Sequence, residues 1–250
     1  MNPALSKQIS VVLVEPQSPG NIGMTARAMA NFGVSDLRLV NPCQYLHPEA
    51  RKFAVAAAPL LGSARIFPDL GAAIADLPMA VAATRRTGKL RGELLDVADA
   101  ACLAAGNPPA DRVGLVFGRE DSGLTSEEVS LCSHSAAIAT APEVGSINLA
   151  QAVLVFLYEF TRQPLAAERA EPALVERPVQ AELEGLFGQM EQVLTQIAFL
   201  NPSRPAAVMN RLRRMIHRAD IDRDDVSLLR GMWSQLQWSI NDWRGRKRGG

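Results

Sequence analysis

Residues 9–33 read ISVVLVEPQSPGNIGMTARAMANFG, and this stretch decides the fold. Ile9–Val14 is short, β-branched and apolar except at Ser10, which suits a strand buried on both faces of a parallel sheet. Pro19-Gly20 then turns the chain, and Asn21 can cap a helix running to Phe32. Gly23 permits close backbone approach. Arg27 stands among Ala26, Ala28, Met29 and Ala30, where a guanidinium either reaches solvent or binds an anion.

The alternation continues outward. Further strands are expected at Asp36–Val40, Ala80–Ala83, Val113–Phe117 and Ala136–Ala139, with a weaker candidate at Ala64–Phe67. Helical patterns occupy Asn21–Phe32, Pro48–Leu61, Leu70–Leu77, Leu94–Ala105, Ser126–Cys132 and Ile147–Arg162. Alternating units of this kind predict an α/β domain with a mostly parallel sheet and helices on both faces, over residues 1–162. A linker is expected at 163–178, QPLAAERAEPALVERP, with three prolines and no periodicity. Residues 179–250 form a helical extension. Leu183, Leu186, Phe187, Met190, Val193, Leu194 and Ile197 mark an amphipathic helix over Val179–Leu200. A second helix starts near Ser203 and Pro205 and runs through Arg218, and a third runs from Asp222 towards Trp243.

Composition narrows the class. A chain of 250 residues, 48% hydrophobic, can bury a core in one large domain or a domain with an extension. No stretch approaches the ~20 apolar residues of a membrane span. The N-terminus lacks the apolar region and cleavage site of a signal peptide, so a cytoplasmic location is expected. Cys43, Cys102 and Cys132 are scattered, as are His47, His134 and His217, so neither a disulfide framework nor a metal site is expected. The net charge of zero hides an asymmetry: residues 201–250 hold 11 Lys/Arg against 5 Asp/Glu, and the remainder is acidic. Such a split is a hint of a nucleic-acid surface and equally describes a solvated helical face.

Two further segments carry candidate chemistry. LVFGREDSGLTSEEVSLC, residues 115–132, places Gly118, Arg119 and Glu120 directly after a strand. Charged groups there are costly unless paired or used. Thr125 and Glu128 form a capping box for the next helix. EVGSINLAQAV, residues 143–153, puts Ser146 and Asn148 at the head of a strongly apolar helix, with Ser146 placed as an N-cap. Ligands of α/β sheets bind beyond the carboxyl ends of strands, so three such ends suggest one composite site. A Rossmann dinucleotide site would need GxGxxG after the first strand, and PGNIGMTAR lacks it.

NIGMTARAMANFG, LVFGREDSGLT and SINLAQAV together resemble, in order and spacing, the three motifs of SPOUT-class (TrmH-like) RNA 2′-O-ribose methyltransferases. VMNRLRRMIHRA and LLRGMWSQL resemble the extension of the TrmJ-type tRNA (cytidine/uridine-2′-O-)-methyltransferases. The resemblance covers essentially the whole chain. It implies a C-terminal deep trefoil knot, S-adenosyl-L-methionine as cofactor, no metal, and a homodimer with the active site at the subunit interface. The implied reaction is methylation of a tRNA anticodon-loop ribose, at position 32. A ribosomal RNA methylase of the same fold and a non-catalytic RNA-binding protein are the alternatives. The implied cofactor residues are Thr84, Arg85, Arg86, Gly118, Arg119, Glu120, Ile138, Gly145, Ser146, Ile147, Asn148 and Leu149. Arg27, with Asn21, Glu120, Ser146 and Asn148, is the implied catalytic set, Arg27 reaching the partner's pocket. A guanidinium is essentially always protonated, so phosphate anchoring by Arg27 is as consistent with the resemblance as proton abstraction. Arg211, Arg213, Arg214 and Arg218 are the candidate tRNA phosphate contacts. Trp233, Trp238 and Trp243 either stack on bases or pack.

Overall fold

The computed structural model describes residues 3–85, 94–106, 111–141, 145–163, 176–201, 205–219 and 221–245. The chain divides into two compact units, Met1–Leu174 and Val175–Gly250.

In the first unit the order is α1 (Pro3–Gln8), β1 (Ile9–Val14), α2 (Pro19–Asn31), β2 (Asp36–Val40), α3 (Pro48–Ala54), α4 (Ala58–Gly62), β3 (Arg65–Phe67), α5 (Leu70–Ile74), β4 (Met79–Ala83), β5 (Leu94–Asp96), α6 (Val97–Ala105), β6 (Val113–Phe117), α7 (Ser126–Leu131), β7 (His134–Ala137) and α8 (Leu149–Arg162). Seven strands form one sheet in the order β3-β2-β1-β6-β4-β7-β5, and every pairing is parallel. The sheet separates two cores. Val11, Leu13, Leu115 and Phe117 face a cluster containing α2, α6 and α8, while Val12, Val14 and Val116 face Leu70, Ile74, Leu124 and Val129 of α5, α7 and their flanks. Successive strand residues point to opposite faces, so strands buried on both sides must be apolar throughout.

Arg38, fully buried in β2, is a charged exception. Its guanidinium donates to the Asp76 carboxylate (Nη2 at 2.9 Å), to Asp36 at 3.0 Å and to the Ala73 carbonyl at 2.6 Å. Arg112 and Arg65 add further pairs to Asp36. Burial alone would push the Asp36 carboxyl up. The Ser10 and Arg65 hydrogen bonds and the Arg38 charge more than offset it and hold the group below its ordinary value. Asp76 is lowered by Arg38 against the same penalty.

The structure departs locally from the sequence reading. Pro48–Leu61 is not one helix: Val55 adopts φ 53° and a single 3₁₀ turn separates α3 from α4. Leu94–Asp96 is a strand, and the helix starts only at Val97, with Asp96 capping the Ala98 N–H at 2.9 Å. β7 begins two residues earlier than read, and α5 ends at Ile74. α2 is capped by Ser18, not Asn21, and α8 by Asn148, not Ser146. Part of the 163–178 linker lies outside the described residues.

The second unit contains α9 (Gln180–Gln196), α10 (Pro205–Arg218) and α11 (Arg223–Gly245). Leu183, Leu186, Phe187, Met190 and Leu194 of α9 pack with Met209 of α10 and Val226 of α11. Trp233 joins this core, and Trp238 is exposed. The side chain of Trp243 lies outside the described residues.

Candidate active site

The strand ends of β4, β6 and β7, together with the loop before α8 and α8 itself, converge on a cavity of about 240 Å³. Phe117, Ala136, Leu149 and Phe156 supply an apolar wall, and Thr84 and Ser146 add polar groups. Gly118, Arg119, Glu120, Ile138, Gly145 and Ile147 also line it, as does Arg85. Among the expected cofactor residues, Asn148 is not in the lining, and Arg86 lies outside the described residues.

A hydrogen-bonded chain ties the loop after β6 to the heads of α2 and α8. One Glu120 oxygen accepts the Gln17 N–H at 2.8 Å. The other accepts the Ser18 N–H at 3.1 Å and the Asn21 side-chain amide at 2.9 Å. Asn148 donates its side-chain amide to the Asn21 oxygen at 2.9 Å, and its own oxygen caps α8 by accepting from Ala150 and Gln151. A carboxylate bound to backbone amides can only accept, so the orientation of both asparagine amides follows from Glu120. Residues 21, 120 and 148 are thereby held in one order although far apart in the chain.

Local sequence explains how each is presented. Ser18 accepts from the Asn21 N–H and Pro19 sits at the first helical position, which starts α2 directly behind the β1 strand end. Gly23 lets α2 approach α3: a Cβ there would overlap the Ala50 carbonyl. After β6 the chain folds back on itself, and a Cβ at Gly118 would overlap the backbone of Gly123 and Leu124.

Arg119 serves this loop. It pairs with Glu15 at 2.8 Å and in two-pronged fashion with Glu128 at 3.0 Å. Hydrogen bonds from Glu128 and then Glu15 raise its pKa further. Glu128 also closes the capping box with Thr125, so one carboxylate anchors both α7 and the cavity loop. Glu15 and Ser18 were not singled out from sequence, although Ser18 before Pro19 is a readable helix start.

Arg27 does not join this chain. It lies six residues beyond Asn21 on α2, about 120° around the helix. Its side chain is exposed, with no hydrogen bond or ion pair among the described residues. Ser146 is exposed at the cavity edge.

In the second unit Arg211, Arg214 and Arg218 share one face of α10 by their three- and four-residue steps. Arg211 and Arg218 are exposed; Arg214 is half-buried, with Nη1 enclosed and unpartnered among the described residues. Arg213 points the other way. It pairs with Glu184, Nη2 at 2.8 Å, and lies over the Phe187 ring with 4.5 Å from Cζ to the centroid. Its guanidinium is engaged within the unit. Among the described residues no helix is long and apolar enough to cross a membrane, and no cluster of three or more His, Cys, Asp or Glu could hold a metal ion.

The chain belongs to the SpoU rRNA Methylase family, whose model matches residues 8–158. Residues 181–247 match the C-terminal domain of the tRNA methyltransferase TrmJ. A relative from Cronobacter sakazakii, tRNA (cytidine/uridine-2′-O-)-methyltransferase TrmJ, is 36% identical over 241 residues, spanning 94% of this chain and 98% of its own. The crystal structure of TrmJ from Z. mobilis ZM4 superposes with TM-score 0.79 at 33% identity, covering 91% of this chain and 98% of that one. A structure described as "Structural insights into the 2-OH methylation of C/U34 on tRNA" superposes with TM-score 0.52 at 27% identity, over 63% of this chain and 97% of its own.

Proposed function

We propose that this chain transfers a methyl group from S-adenosyl-L-methionine to the ribose 2′-hydroxyl of a cytidine or uridine at position 32 of the tRNA anticodon loop. The observation that carries the reading is the Glu120–Asn21–Asn148 chain, which ties the loop after β6, itself part of a partly apolar cavity, to the heads of α2 and α8. The residues fit the donor. The apolar wall suits an adenosine and the polar edge suits an amino-acid portion. When bound, the donor supplies an electrophilic methyl group. Thr84, Gly118, Ile138, Ser146, Ile147 and Leu149 would hold it.

The protein's part is chiefly to position. Aligning two reactants supplies a large share of such a rate enhancement. Arg27, free on the surface of α2, is available to a ribose phosphate or to a second subunit's pocket, and the homodimer and the family's trefoil knot are part of this reading. Arg211, Arg214 and Arg218 would contact tRNA phosphates.

The test is methyl transfer from labelled S-adenosyl-L-methionine to total tRNA and, separately, to ribosomal RNA, with nucleoside mapping. Ribose-methylated nucleotide 32 in tRNA is expected, and Arg27→Ala should abolish it with the fold intact. The matched family is described by its ribosomal RNA methylases, which favours ribosomal RNA as the second reading. Label confined to ribosomal RNA would move the substrate there, and label at tRNA nucleotide 34 would reassign the position.

A further inference from the structure

Among the described residues four charged side chains line the cavity: Arg85, Arg119, Glu120 and Asp121. Three are already engaged. Arg119 is held between Glu15 and Glu128. Glu120 accepts two backbone amides and the Asn21 amide. Asp121 accepts the Ser122 hydroxyl at 2.8 Å. Arg85 has no hydrogen bond or ion pair with a described residue.

Its position is nevertheless set by the fold. Thr84, immediately before it, donates its N–H to the Ala136 carbonyl at 3.0 Å, which fixes the base of the arm that leaves β4. The guanidinium then reaches across to the loop before α8 and lies against Gly145. A Cβ at Gly145 would overlap Arg85 Nη1 and come within 2.9 Å of Cζ. Gly145 has φ +54°, a conformation that also disfavours a side chain. The absence of a side chain at 145 is what leaves room for this cation at the cavity.

We propose that Arg85, seated on Gly145, is the anion clamp of the cavity and takes the carboxylate of the donor's methionyl portion. The proposal rests on the donor reading above. That donor carries a sulfonium, an ammonium and one carboxylate. Glu120 and Asp121 put negative charge in the lining, which suits the two cations. The carboxylate needs a positive partner, and Arg119 is already occupied by two carboxylates. Among the described residues Arg85 remains, and its planar fork matches a carboxylate two bonds at a time. A phosphate of bound RNA offers the same anionic chemistry, so the experiment separates the two sources.

The full chain is titrated calorimetrically with S-adenosyl-L-methionine and with its decarboxylated analogue, which lacks only the carboxylate. Arg85→Ala should weaken the first by about tenfold or more, as expected for a lost hydrogen-bonded charge pair, and leave the second nearly unchanged. Arg85→Lys should recover part of the loss. Gly145→Ala should mimic Arg85→Ala and add little in the double variant, because both act through one guanidinium. Failure of the wild-type protein to bind either ligand overturns the donor reading and this proposal together. Normal wild-type binding with equal weakening of both ligands by Arg85→Ala overturns the proposal alone, as a shape effect. Unchanged donor affinity with a raised KM for tRNA overturns it in favour of an RNA phosphate.

Discussion

Exchanging Asn21 for aspartate replaces one donor nitrogen by an oxygen and tests the hydrogen-bonded chain at its centre. Asn21 is 7% exposed, and its amide donates to Glu120 at 2.9 Å. The exchange removes a hydrogen bond to a charged acceptor, about 1.5–3 kcal/mol. It also sets two carboxylates side by side. At an effective dielectric near 20, unit charges ~4 Å apart repel by ~4 kcal/mol. The pair can escape by holding one proton between them. Against an ordinary carboxyl pKa of ~4, that costs roughly 5 kcal/mol at pH 8 but only about 1.4 kcal/mol at pH 5. Repulsion and protonation are therefore comparable at pH 8, and protonation wins at pH 5. The folded pair keeps its proton to higher pH than the unfolded chain, so the variant loses stability as pH rises from ~4 upward. A unit of this size shifts its Tm by ~2–4 °C per kcal/mol. Thermal unfolding should thus show Asn21→Asp lower than wild type by roughly 10–20 °C at pH 8 and by only about 3–6 °C at pH 5. An equal deficit at both pH values would falsify the contact between residues 21 and 120.

Arg38→Met leaves Asp36 and Asp76 without their buried partner and should cost about 3–5 kcal/mol in a denaturant melt at pH 7. Both carboxyls are held below their ordinary values in the folded protein, so this stabilisation is present above pH ~4 and fades as pH falls through the lowered folded values. The deficit of the variant should shrink on acidification, and a constant deficit would contradict the ion-pair account. Gly23→Ala weighs about 1 kcal/mol of helix propensity gained against overlap with the Ala50 carbonyl. Overpacking against backbone costs about 1–3 kcal/mol, so net destabilisation is expected, and a stabilised variant would contradict the close approach of α2 and α3. Arg211→Glu, Arg214→Glu and Arg218→Glu together should weaken tRNA binding and flatten its salt dependence by about one unit of slope per phosphate lost. Arg213→Ala should instead lower the melting temperature of the second unit; wild-type stability would free Arg213 for RNA after all.

The sheet was legible where the physics is local. β1 and β6 have the predicted bounds because a strand buried on both faces must be chiefly apolar, and β2 has them too, although its buried Arg38 breaks that pattern and is paired with Asp36 and Asp76. β5 was not, since Leu94-Leu95 continues the apolar pattern of α6 and only Asp96, as cap, divides them. The break at Val55 could not be read either: a β-branched residue at positive φ is the choice propensity argues against. The same division runs through the site. The three motifs marked the segments, but whether Arg119 was used or merely paired depended on Glu15, which lies 104 residues away and is brought alongside by adjacent parallel strands.

The arginines of α10 show the limit most sharply. Helical spacing alone turns Arg213 by about 100–160° from Arg211, Arg214 and Arg218, which lie two, one and five residues from it. Spacing does not say which side faces water. That is decided by α9, whose Glu184 and Phe187 offer one guanidinium both a carboxylate and a ring, while Leu183, Leu186 and Met190 bury the flank between the helices. Arg213 is drawn inward because a cation desolvated against an apolar face needs a partner and finds one there. The basic surface proposed above for RNA is correspondingly narrower than the count of arginines suggests, and it rests on the three that α9 does not claim.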